Sequence, residues 1–230
     1  MKKCLLVFIP LFLTASLLLA ETIEVKPVGT YAEINTQNET QAINSLLNGT
    51  PNEQSQTAEE IVKHSDKYCP ATFFYLSAYF FDKGQNDDAL FWLYAGRIRM
   101  LYDVKKCTDE SVDGALEEMN SQVPDLLKLT QFENINNTRK IVAKAIAWDE
   151  KTPHDYDPAW LSLHGAKAFL PDADKVSYDS LNIQKDQWNS LAKENRKEYL
   201  KDFNDSIEQI TKEDLAQIKQ AIKELKKQKN

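Results

Sequence analysis

Two cysteines, Cys69 and Cys107, bracket one aromatic-rich stretch, and a signal-like N-terminus precedes them both. Pro70 follows the first cysteine and suits the opening turn of a helix, where its missing N–H has no intrahelical partner to lose. Gly84 ends that helix. Asn86 is suited to cap the next one, with Asp87 and Asp88 favourable beside its N-terminal dipole. The second helix is expected to end near Tyr102, just before Cys107. Antiparallel helices of similar length would bring their outer ends together, so a disulfide between Cys69 and Cys107 is expected to staple the hairpin. Closing that loop would contribute roughly 4 kcal/mol in the chain-entropy picture. The spacing is far from C-x-x-C, so the pairing is read as structural, not redox-active.

An oxidising compartment is part of the same reading. Lys2 and Lys3 form a charged start, an apolar run follows from Leu5 to Leu19, and polar sequence begins after Ala20. This is the layout of a cleaved signal peptide over residues 1–20, with a membrane anchor formed by residues 4–20 as the alternative. Either way the rest of the chain is expected outside the cytoplasm, in the periplasm or secreted. Contact with a membrane is expected only if that segment stays uncleaved. Removing Lys2 and Lys3 from 28 basic side chains leaves 26 against 35 acidic ones, a formal charge of −9. Such a balance argues against nucleic acid as a partner, because phosphate backbones reward a basic patch. Glycine is scarce, and Leu, Ala, Lys, Glu and Gln are common, which favours helices.

Four regions follow. Residues 1–20 are the signal. Residues 21–56 are irregular, with at most one short strand and a short helix at "QAINSLLN". A helical core spans 57–183, opened by a capping box at Thr57-Ala-Glu-Glu60. Within it, helices are expected over "CTDESVDGALEEMNSQ", "PDLLKLTQF", "NNTRKIVAKAIAWDE" and, with Asp157 as cap, "DPAWLSLHGAKAF". Charged helices fill 184–230, with Trp188, Leu191, Leu200, Phe203 and Ile207 along one stripe. A restart is expected at Thr211-x-x-Asp214.

Within the hairpin the order Phe73-x2-Leu76-Ser77-x2-Phe80-x3-Gly84-x4-Ala89-x3-Leu93-x2-Gly96 resembles a tetratricopeptide or Sel1-like repeat. The resemblance covers residues 73–96 only. Phe73 stands where that family usually has Trp, no Pro closes the unit, and a shift by the family's period brings up no second copy. It implies a helix-turn-helix scaffold of a kind that often binds peptides or proteins. The expected fold is therefore all-α: an irregular helical array around a disulfide-stapled, TPR-like hairpin.

The hairpin aromatics divide by their chemistry. Phe73, Leu76, Phe80, Ala89 and Leu93 occupy intra-hairpin positions and are expected to be buried. Tyr75, Tyr79, Trp92 and Tyr94 carry polar handles and are the candidate partner-binding residues. Arg97 and Arg99 are read as pairing with carboxylates or complementing the helix end.

No nucleophile elbow, zinc motif or phosphate-cradling glycine loop is present. Asp172-x-Asp174 lacks the rest of a calcium loop, so no metal and no cofactor are expected. His154 with Asp155 and Asp157, plus His164 on the next predicted helix, is the one cluster with catalytic residue types. The expected function is a non-enzymatic protein-binding module. One version is an immunity protein whose acidic surface complements a basic toxin delivered to the periplasm; another is an envelope adaptor. The competing reading is a hydrolase using the His154–His164 region.

Overall fold

The computed structural model describes residues 26–228, so the expected signal segment, residues 1–20, lies outside the described residues. Among the described residues the chain is all-helical, with nine α-helices joined by short 3-10 turns and no strand. Before Ile43, where the sequence allowed at most one short strand, a 3-10 turn runs over Gly29–Glu33.

The first two helices form a hairpin. α1 spans Gln37–Asn48 and α2 spans Pro51–Lys63. α2 begins ahead of the expected capping box, because Thr50, Pro51 and Glu53 supply a complete start. The Thr50 hydroxyl accepts from the Glu53 N–H, and the Glu53 carboxylate accepts from the Thr50 N–H. Thr57 is left to face α1, its hydroxyl 2.7 Å from that of Ser45.

The second hairpin pairs α3, Pro70–Asp82, with α4, Asn86–Lys106. Gly84 makes the turn at φ 74°, which costs glycine little. Small residues let α3 and α4 approach closely. Ser77 donates its hydroxyl hydrogen to the Ala89 carbonyl at 2.7 Å, and a Cβ at Gly96 would lie 2.9 Å from the Phe74 ring. Phe73, Leu76, Ala89 and Leu93 are buried, whereas Phe80 keeps part of its surface exposed.

The staple does not form: Cys69 and Cys107 are free thiols. The reason is helix length. α3 has 13 residues and α4 has 21, so α4 runs on past the start of α3, by about 12 Å at ~1.5 Å per residue. Cys69 is buried at the N-terminal end of α3, where desolvation pushes its thiol pKa up. Cys107 sits beyond the end of α4, its Sγ 3.4 Å from the Ser162 hydroxyl.

α4 is the axis of the molecule. It is buried on nearly every side, as its broad apolar surface requires. α3 covers one side. α7, Ile135–Lys151, runs alongside in the same direction, with Trp148 against Trp92 and Asp149 against Arg99. α8, Trp188–Glu208, runs antiparallel, laying Tyr199 and Phe203 over Tyr94. The predicted charged C-terminal region therefore contributes to the main core through α8. α5, Ala115–Gln122, and α6, Asp125–Thr130, close the hairpin's flank. α9, Lys212–Gln228, rests on α6 with Ile222 buried, and it starts at the expected Thr211–Asp214 cap.

The stretch from Asp157 to Phe169 is not the helix its cap suggests. Asp157 does accept from the Ala159 N–H at 2.9 Å, but 3-10 turns follow at Trp160–His164 and Ala166–Phe169. Tertiary bonds take the N–H groups a helix would use: Lys167 N–H donates to Asp109 and Ala166 N–H to Ser111. The "CTDESVDGALEEMNSQ" helix is likewise split. Asp109 caps a short turn over Glu110–Val112, and α5 starts only after Gly114. A second, smaller core joins Tyr31 and Ile34 of the N-terminal arm to Ala159, Ala173 and Leu181.

Candidate functional site

The hairpin aromatics separate into two sets, though not the two expected. Trp92 and Tyr94 are buried, at 5 % and 1 % exposure. Trp92 packs among Phe73, Phe91 and Trp148 with ring centroids 5.0–5.5 Å apart, geometry that adds to area burial. Tyr94 donates its hydroxyl hydrogen to the Gln131 side chain beneath α8. Tyr75 and Tyr79 remain partly exposed, as do Phe80 and Phe81 beside them. Tyr79 meets Phe80 edge-on, and the Lys83 ammonium lies 5.2 Å from its ring centre. The surviving aromatic surface is thus the C-terminal half of α3.

The other chemically dense region lies at the far end of α4. Arg99, Asp103 and Lys106 follow at i, i+4 and i+7, which places them on one helical face. All three are buried. Arg99 Nε donates to Asp149 Oδ1 at 2.8 Å, and its other nitrogens reach the carbonyls of Thr152 and Ser65. Asp103 accepts from Lys106 at 2.7 Å, from the Tyr156 hydroxyl at 2.9 Å and from the Trp160 indole at 2.7 Å. Every charge in this row is paired and hydrogen-bonded, the condition for a buried ion pair to be tolerated.

Asp149 is the hub. Besides Arg99 it accepts from Arg196 of α8 at 3.0 Å, and His154 Nε2 stands 3.2 Å from Oδ1. Burial pulls the Asp149 pKa upward, but the bonds and charges of His154 and Arg99 outweigh it and bring the pKa to about 2. The Arg99 guanidinium also lies 4.2 Å from the Trp148 ring centre, linking hub to aromatic cluster.

Of the residues predicted to gather around His154, the structure brings few together. Asp157 is occupied by the N–H groups of Asn35 and Ala159 and by the Tyr178 hydroxyl. The Asp155 N–H is bound to the Asp66 carbonyl. His164 lies edge-on to Trp160, and burial lowers its pKa. His154 instead sits between Tyr102 and Tyr156, with Asp149 as its carboxylate partner. Sequence reasoning missed Asp103, Lys106, Asp149 and Arg196. The Arg99–Asp103–Lys106 spacing on an otherwise apolar helix was the available signal. Among the described residues no three His, Cys, Asp or Glu side chains converge as metal ligands, and no helix is long and apolar enough to cross a membrane.

Set against models of known families, curated proteins and solved structures, the chain matches none.

Proposed function

We propose that the chain is an exported helical scaffold that binds a partner protein through the partly exposed aromatic side of α3. The observation that carries this reading is the stacking of two helical hairpins at repeat spacing. α1 and α3 start at Gln37 and Pro70, 33 positions apart, and α2 and α4 start at Pro51 and Asn86, 35 apart. α1 packs on α3. Tetratricopeptide units recur at about 34 residues and stack helix on helix to build binding surfaces. Tyr75, Tyr79, Phe80 and Phe81 supply the large, rigid side chains that interfaces favour. The acidic surplus suits a basic partner, such as a toxin acting in the same compartment.

A photo-reactive residue at Tyr79 in the intact cell envelope tests this. A discrete cross-linked protein is expected at Tyr79, lost on Tyr75→Ala, with none from the exposed position Lys197 on α8. Equal cross-linking at both positions would reject the α3 surface.

One observation favours the hydrolytic alternative: the buried carboxylate of Asp149 orients His154, as a carboxylate orients a general base. Under that reading His154→Ala abolishes turnover of an ester or amide substrate with an unchanged melting temperature, whereas His164→Ala leaves it intact.

A further inference from the structure

We propose that the cleft between α4, α8 and the loop after α7 binds a small organic oxyanion, a carboxylate or a phosphate monoester. The cleft holds about 530 Å³, and Tyr102, Asp149, His154, Trp188, Lys193 and Arg196 are among its lining residues. Its floor carries an excess of positive charge. Two guanidinium groups, Arg99 and Arg196, converge on the single carboxylate of Asp149. Asp103 does not offset this, because Lys106 pairs with it. At the rim, Lys193 has no ion-pair partner among the described residues, and Glu150 is the other acidic lining residue. The surrounding chain is acidic overall, at −7, so this local balance runs against the whole. A surplus of one sign of charge in a low-dielectric cleft favours the opposite ion.

Donors are also free. Arg196 uses one N–H on Asp149, and a guanidinium has five in a fork that matches carboxylate and phosphate oxygens. The Tyr102 side chain is buried to 5 % exposure, yet its hydroxyl makes no hydrogen bond to any described residue. Burial beside Asp103 and Asp149 raises its pKa, so the hydroxyl keeps its proton and serves as a donor. A hydroxyl that opens into the cleft without a protein partner, beside spare guanidinium N–H groups, leaves a set of donors facing the same space. An oxyanion completes it, and a cation does not.

The test is calorimetric titration of the full chain with phenyl phosphate, benzoate and uncharged benzyl alcohol at fixed ionic strength. Saturable one-to-one binding of phenyl phosphate or benzoate, without benzyl alcohol binding, is expected, and the tighter of the two identifies the oxyanion. Tyr102→Phe removes only the unpartnered hydroxyl. It should weaken binding about tenfold, the scale of a hydrogen bond to a charged group, and leave the melting temperature unchanged. Arg196→Lys should weaken binding at least as much. The proposal is overturned if neither anion binds, if benzyl alcohol binds equally well, or if Tyr102→Phe binds as the parent does.

Discussion

The Arg99 guanidinium and the Asp149 carboxylate meet at 2.8 Å with side-chain exposures of 0 % and 3 %, tying α4 to α7 inside the core. Removing Asp149 leaves the Arg99 charge buried without a carboxylate, at a cost of about 3–5 kcal/mol, whereas removing Arg99 leaves Asp149 still paired with Arg196. Asp149→Ala should lose that amount in urea-unfolding experiments, and Arg99→Ala less. Exposed Lys201→Ala on α8, which breaks the surface pair with Asp205, should leave the unfolding curve essentially where it is.

The same hub makes stability depend on acid. Asp149 titrates at about 2 in the fold, against 3.8 for the free side chain. A lowered carboxyl pKa stabilises the fold fully above the unfolded value, and the contribution fades as pH falls through the folded one. Between about pH 4 and pH 2 the chain should therefore lose about 2 kcal/mol from this group. Unfolding free energies of the parent and Asp149→Asn, followed across that range, check it. The variant's slope should be shallower.

The thiols should behave separately. Cys107 is partly exposed and Cys69 is buried. Thiol labelling of the native chain should modify Cys107 first, with Cys69 reacting only on unfolding, and a reductant should leave the melting temperature unchanged. Recovery of the chain with a Cys69–Cys107 bond would contradict the separation that the unequal helices impose.

Gly96 reports how closely α3 and α4 approach. Alanine favours a helix interior by about 1 kcal/mol over glycine. Here its Cβ would sit 2.9 Å from the buried Phe74 ring, with Phe73 behind it. Overpacking of that kind costs about 1–3 kcal/mol, so Gly96→Ala should destabilise on balance, measured as a lower melting temperature.

Much of the helix order was legible, because Pro70, Gly84 and the Thr211–Asp214 pair mark helix ends through local chemistry that tertiary contacts do not override. Elements failed where long-range bonds decided. Asp157 opens a helix by sequence, yet Asp109 and Ser111 capture the backbone of Ala166 and Lys167. The staple failed on a four-residue error: α4 was expected to stop near Tyr102 and continues to Lys106, which moves Cys107 away. The charged cleft was least legible. Its parts come from α4, α7, the loop at His154 and α8, and no local pattern announces that Arg196 will meet Asp149 across 47 positions.

The hairpin aromatics can be separated by one pair of substitutions. Trp92 is enclosed by Phe73, Phe91 and Trp148, and its truncation opens a cavity that those rings have little freedom to fill. Trp92→Ala should cost about 3–5 kcal/mol of folding stability. Tyr79 lies near the C-terminal end of α3, touching Phe80 and Lys83, packed on the edge of the core and partly exposed. Tyr79→Ala should cost clearly less than Trp92→Ala, because its ring is only partly buried, while abolishing cross-linking from a photo-reactive residue placed instead at Tyr75. Circular dichroism melts and cross-linking on the same two variants give the comparison. If Tyr79→Ala melts as early as Trp92→Ala, its ring is holding the fold together, and the exposed end of α3 is not a surface kept for a partner.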